Sequence, residues 1–205
     1  MTDQYFYPNI WGRSILTSAE DILGENGVSA LLNLTGLQEY INNYPPDTIN
    51  KAFPFTHVAE IQQGLYDMYG SRGARVFATR GGKETFHHSL YKYDKVQKAA
   101  RAAMRVGSVK MRAKIGLQFF SKFFNAVSDQ VVRIDDDDNY WYWIIERCPM
   151  CWGREAQEPV CHLGIGVLKA ASKWATEREF RIQEIKCVAM GDENCIYAMD
   201  KQPID

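Results

Sequence analysis

No run of apolar residues in this chain approaches the ~20 that carry a helix across a bilayer, so no membrane span is expected. Its start, Met1-Thr-Asp-Gln-Tyr-Phe-Tyr7, lacks a basic stretch followed by an apolar one, so no secretory leader is expected and the cytoplasm is the expected location. An excess of one charge is missing too. With 24 Lys and Arg against 25 Asp and Glu, the formal net charge is -1, which gives no reason to expect nucleic acid or an anionic membrane surface as partner. No cysteine precedes position 148, and the five present are odd in number and clustered late, unlike a secreted disulfide framework. In a reducing compartment such a cluster points to a metal site or to buried thiols.

Phosphate and dinucleotide cradles are also absent. In Gly70-Ser-Arg-Gly-Ala-Arg-Val-Phe-Ala-Thr-Arg-Gly-Gly-Lys83, a P-loop would need glycine where Phe77 stands and Ser or Thr where Glu84 stands, so the stretch reads as a glycine-punctuated connection. Gly164-Ile-Gly166-Val-Leu-Lys169 has lysine in place of the third small residue and follows a loop, so it is no dinucleotide fingerprint. His57, His87, His88 and His162 form no grouping with a nucleophile that would mark a catalytic site.

What remains is a chain of 205 residues, 46 % apolar, enough for one core and too short for two ordinary domains of ~150 residues. Residues 14 to 43 read as short helices, with Thr17 and Ser18 as caps and Gly24 and Gly27 as punctuation. Tyr44-Pro-Pro-Asp47 breaks the pattern, and helical spacing resumes from Thr56 until Gly70 closes it. The longest helical pattern runs from Tyr93 to about Val127, with Val106, Val109, Ala113, Leu117, Phe120, Phe124 and Val127 on one face. Lys95, Lys98, Arg101, Arg105, Lys110, Arg112, Lys114 and Lys122 occupy the other faces, either as a solvated surface or as a basic rim for an anion.

After Asp129 the period becomes that of strands. Gln130 to Ile134 and Tyr140 to Glu146 flank an acidic turn, Asp135-Asp-Asp-Asp-Asn139, which lacks EF-hand spacing and reads as solvated. A loop follows at Cys148-Pro-Met-Cys-Trp-Gly153, then a helix from Gly164 to Thr176, a strand from Glu179 to Cys187, and its hairpin partner from Cys195 to Met199. Segregated helices followed by hairpins predict an α+β fold, with 1–205 as one domain. Within it, residues 1–128 are expected to be helical and residues 129–200 to form an α+β unit of two antiparallel hairpins and a crossover helix.

Cys187 and Cys195 close the base of a hairpin whose tip holds Gly191, with Cys161 just ahead of the covering helix and Glu184 three residues before Cys187. Thiolates and carboxylate together suit four-coordinate zinc. Glu184 and Cys187 differ in strand parity, so their convergence requires a bulge near Ile185 or Lys186. On spacing alone a second set, Cys148, Cys151, Cys187 and Cys195, is equally open, since its Cys-x2-Cys half suits a zinc ribbon.

Glu158-Pro-Val-Cys161, Gly166 and Glu184-x2-Cys187-x-Ala-Met-Gly191-x3-Cys195 resemble the 4-vinyl reductase domain family, closely over residues 158–199 and loosely back to residue 14. That family includes a protein linked to bacteriochlorophyll synthesis and the sensor domains of activators that respond to aromatic hydrocarbons, and its fold is similar to small subunits of the TRAPP trafficking complex. The resemblance implies a zinc ion on Cys161, Glu184, Cys187 and Cys195, closed on four sides and therefore structural. Ala170 and the glycine-free Ala175-Thr-Glu-Arg-Glu179 depart from the family pattern, at the helix and at its turn into the strand.

Phe120, Phe124, Trp141, Trp143 and Trp174 are positioned to meet between helix and sheet, either as filled core or as the lining of an apolar ligand site. With the resemblance, the favoured reading is a stand-alone carrier or sensor of a small hydrophobic or aromatic molecule, expected as a homodimer. Two alternatives remain: a tetrapyrrole-handling protein or vinyl reductase, for which only the resemblance speaks, and a dimeric scaffold.

Overall fold

The computed structural model describes residues 4–103 and 107–204. Two long helices dominate the N-terminal half: α1 (Asn9–Leu34) and α2 (Phe55–Leu90), each entered from a proline whose ring pre-sets the backbone ahead of the first turn. They are preceded by short strands β1 (Phe6–Pro8) and β2 (Lys51–Pro54), which pair antiparallel and fasten the two helix starts together.

This differs from the short helices read between residues 14 and 43. Thr17 and Ser18 lie inside α1, where Ser18 donates to the Ser14 carbonyl at 2.6 Å instead of capping. Gly24, at φ 74°, bends the helix without ending it. Gly70 takes the left-handed φ of 65° expected of a cap, yet the helix resumes beyond it and the glycine-rich stretch to Lys83 is helical. The reason is tertiary: Ala74, Ala78 and Gly82 form a small-residue stripe on α2 that packs against the later helix of residues 162–176.

The single long helix expected from Tyr93 is two: α3 (Asp94–Ala103) and α4 (Val109–Val127). Gly107 stands between them at φ 107°, and Ser108 caps α4 by accepting from the Met111 N–H at 3.2 Å. Arg105 and Val106 fall outside the described residues. Ala113, Leu117 and Phe120 are buried along α4, while Lys110, Lys114 and Lys122 point to solvent.

Both predicted hairpins are present, as β3 (Val132–Asp136) with β4 (Tyr140–Ile145), and β5 (Phe180–Lys186) with β6 (Cys195–Pro203), joined by α5 (His162–Thr176). They form one antiparallel sheet in the order β3-β4-β6-β5. The architecture is α+β, as expected. Alternation places Trp141, Trp143 and Ile145 of β4 and Tyr197 and Met199 of β6 on the helix-covered face. Edge strand β3 is covered by α4, whose Asn125 exchanges two hydrogen bonds with the backbone of Val132, at 2.7 and 2.8 Å.

The acidic turn is more than solvated. Asp137 accepts from the Asn139 and Tyr140 amides and from the Tyr142 hydroxyl, and Asp136 pairs with the buried Lys201 at 2.7 Å. At the α5 to β5 turn, where the family pattern has glycine, Glu177 itself adopts the left-handed φ of 63°.

Candidate functional site

Two neighbouring features stand out: an aromatic cavity between helices and sheet, and the cysteine cluster beneath it. The cavity is contributed by β1, α1, α2, α4, α5 and the inner face of β4 and β6, and holds about 70 Å³ of free space. Phe120, Phe124 and Trp143 line it as the sequence suggested. Trp141 is fully buried farther along β4 against Phe180, and Trp174 sits behind Phe120 at a ring separation of 5.8 Å, so neither reaches the lining. The alternates Tyr140 and Tyr142 face outward, where Tyr142 donates to Asp137.

Sequence reasoning missed the N-terminal share of the lining. Tyr7 and Trp11 enter from β1 and the first turn of α1, and Tyr93 and Phe123 complete one wall. The aromatic density of Tyr5-Phe-Tyr7 and Trp11 was the available signal.

Among the described residues the lining contains no Lys, Arg, His, Asp or Glu. Its polar groups are few. Tyr7 donates to Gln130 Oε1 at 2.7 Å, Thr85 donates to Ser18 at 3.2 Å, and Tyr197 donates to the Cys161 carbonyl at 3.2 Å. Tyr93 differs: its hydroxyl is buried with no hydrogen-bond partner. Burial pushes that phenol up to about 12, with only a small opposing pull from the Trp11 indole, so at neutral pH it is a neutral group that can donate or accept. A buried hydroxyl left unpaired costs about 1 to 3 kcal/mol, which a ligand's polar atom would recover.

The histidines lie elsewhere. His57 meets the Tyr40 hydroxyl at 2.9 Å, His88 meets Asp21 at 2.8 Å, and half-buried His162 is pushed down to about 4 by burial and the nearby Arg75.

Beneath the cavity, all five cysteines and Glu184 converge. Cys148 and Cys151 come from the turn after β4, Cys161 from the N-terminus of α5, Cys187 from the end of β5 and Cys195 from the start of β6. All five are buried and none is in a disulfide. The bulge required by strand parity is found: the register between β5 and β6 shifts between Glu184 and Lys186, leaving Ile185 exposed. The extra residue turns Cys187 to the side that Glu184 faces.

Donor atoms of Cys161, Glu184, Cys187 and Cys195 lie within 4.8 Å of one another, and so do those of Cys148, Cys151, Cys161 and Cys195. The spacing-only alternative is thus altered: Cys161, rather than Cys187, completes the four-thiol group. Cys161 Sγ is 3.8 Å from both Cys187 Sγ and Cys195 Sγ.

Glu184 Oε2 accepts from the Cys161 amide at 2.9 Å, while Oε1 is buried without a partner. Burial, with Cys187 beside it, pushes the carboxyl up to about 9, and burial pushes the Cys148 thiol up to about 11. A cluster of buried acids with one carboxylate oxygen unpaired is short of positive charge, and a cation among them supplies it. The donors present therefore fit a zinc-class ion.

Comparison with known proteins puts these features in a family. Residues 141–198 match the 4-vinyl reductase domain, a stretch that contains β4, the cluster and the second hairpin. An uncharacterised protein of Methanocaldococcus jannaschii is 29% identical over 56 residues, 27% of this chain; the aligned stretch spans 31% of that relative's length. Among solved structures, the phenol-responsive sensory domain of the transcription activator PoxR, crystallised with phenol, is similar at a TM-score of 0.52 and 16% identity, covering 74% of this chain and 77% of that one. An Fe(II) unliganded H-NOX protein from K. algicida is similar at a TM-score of 0.58 and 13% identity, covering 95% and 96%. At these identities the two structures show a shared fold.

Proposed function

We propose that this chain, whose residues 141–198 match the 4-vinyl reductase domain, binds one small, neutral, single-ring molecule in the aromatic cavity and serves as a carrier or sensor of it. The observation that carries the reading is the pairing of a lining free of charged side chains with one unpartnered hydroxyl, that of Tyr93. Aromatic walls supply contact area, and the lone polar group orients a ligand with one oxygen. The phenol named for the PoxR sensory domain has this chemistry.

Size and charge weigh against the larger alternatives. The free space of about 70 Å³ is roughly half of a ~150 Å³ cavity that takes benzene, so one ring enters with modest side-chain rotation and a tetrapyrrole does not. Basic residues that would meet propionates are absent from the lining, since Lys110, Lys114 and Lys122 point to solvent. The Fe(II) centre named for the H-NOX protein does not fit either, because neither histidine nor cysteine reaches the cavity.

The second half of the reading is a structural zinc held by Cys161, Glu184, Cys187 and Cys195. It would tie the start of α5 to the β5–β6 hairpin and leave no open position for a substrate.

Trp11 and Trp143 line the cavity, so intrinsic fluorescence reports occupancy. Saturable quenching by phenol, with none specific to a chlorophyllide, is expected. Quenching by neither class would favour the scaffold reading and contradict ours.

A further inference from the structure

We propose that the cluster holds two zinc-class divalent ions bridged by the thiolates of Cys161 and Cys195, with Cys148 and Cys151 completing one tetrahedron and Glu184 and Cys187 the other. This rests on the structural-zinc reading above and adds a second ion to it.

The two groups of four donors share Cys161 and Cys195. Two tetrahedra that share an edge need their two common ligands one tetrahedron edge apart, which is about 3.8 Å for zinc–sulfur bonds of ~2.3 Å. The shared sulfurs are 3.8 Å apart. The outer ligands sit at similar distances from them: Cys148 at 3.5 Å from Cys161, Cys151 at 3.4 Å from Cys195, and Cys187 at 3.8 Å from Cys161.

A single ion satisfies only half of what is buried there. If it sits on Cys161, Glu184, Cys187 and Cys195, the thiols of Cys148 and Cys151 stay in the cluster without a role, at 2% and 1% exposure. If it sits on the four-thiol group, Glu184 Oε1 keeps no partner. Two ions engage all six donors.

The charge closes as well. Five thiolates and one carboxylate carry six negative charges and two divalent ions carry four positive, leaving a cluster of minus two. Arg154, largely buried, interacts electrostatically with Cys161, Cys151 and Cys187, and is held by the Met150 carbonyl and Gln63 Oε1, both at 3.0 Å. The Val188 amide donates to the bridging Cys195 sulfur at 3.3 Å, and Cys161 stands at the positive end of α5. Loading releases the protons of up to five thiols and one carboxyl; no electron is exchanged.

The test uses the full chain, purified reduced, then saturated with zinc and weighed by native mass spectrometry. Two zinc ions per chain are expected. Loaded with ¹¹³Cd, the wild-type protein should give two resonances coupled to each other through the shared sulfurs. The double variant Cys148→Ser with Cys151→Ser should retain one ion; should it fail to fold, the wild-type cadmium spectrum decides alone. One ion at saturation, with one resonance, overturns the second site and leaves the structural zinc standing. No bound metal, or iron with acid-labile sulfide, overturns both.

Discussion

Tyr197 donates its hydroxyl to the Cys161 carbonyl at 3.2 Å while its ring lines the aromatic cavity, so one side chain belongs to both the ligand space and the metal cluster. Cys161 is itself the residue that opens α5. Metal and ligand are therefore expected to be coupled. Stripping metal with a strong chelator should lower the melting temperature by about 10 °C or more, given the large folding contribution of structural zinc, and should weaken phenol binding severalfold. Tyr197→Phe should cost about 0.5 to 1.5 kcal/mol in urea unfolding, since the Ile165 amide still reaches the same carbonyl, and should lessen the effect of chelation on affinity.

Tyr93 sets the preference for an oxygen on the ring. Tyr93→Phe should reduce phenol affinity by about three- to tenfold, the size of one neutral hydrogen bond, and leave toluene affinity unchanged or improved. Parallel titrations of the two compounds check this. Equal losses for both would show that the ring of Tyr93, not its hydroxyl, matters.

Gly82 and Gly166 meet where α2 crosses α5. A Cβ on Gly166 would strike the Thr79 carbonyl, and one on Gly82 would strike the Leu163 carbonyl. Gly166→Ala and Gly82→Ala should each destabilise by about 1 to 3 kcal/mol or more through overpacking. Gly81→Ala is the control: its Cβ would meet only the tip of Ile22 at 3.8 Å, and alanine is the better helix former by about 1 kcal/mol. Thermal unfolding of the three variants separates them.

The same glycines explain what was hard to read in the sequence. Gly81-Gly82 and Gly164-Ile-Gly166 looked like failed nucleotide cradles because local reasoning sees only weak helix propensity. Their purpose is contact between two helices far apart in the chain, which no local window contains. By contrast, the β3–β4 and β5–β6 hairpins were legible, because alternation of buried and exposed side chains is itself local. The bulge after Glu184 was legible for the same reason: parity demanded it. The N-terminal lining residues Tyr7 and Trp11 were missed because β1 is only three residues long and its partner lies across all of α1. Convergence of Cys148 and Cys151 on Cys161 depends on how the turn after β4 folds back, and spacing alone had sent them to Cys187.

Glu177 carries a left-handed backbone that costs a non-glycine residue roughly 1 to 2 kcal/mol. Glu177→Gly should therefore stabilise the protein, by up to ~1 kcal/mol once the greater freedom of unfolded glycine is subtracted. Chemical denaturation checks it; an unchanged or lower midpoint would mean that the turn is relaxed as it stands.

The most direct test of the neutral-ring reading is calorimetric titration of the metal-loaded chain with phenol and, separately, with benzoate. Both are single rings of similar size, and they differ in charge. The uncharged lining and the lone Tyr93 hydroxyl predict saturable one-to-one binding of phenol, with benzoate at least tenfold weaker because its charge would be buried without a partner. Equal binding of the two, or no saturable heat from phenol, would contradict the account.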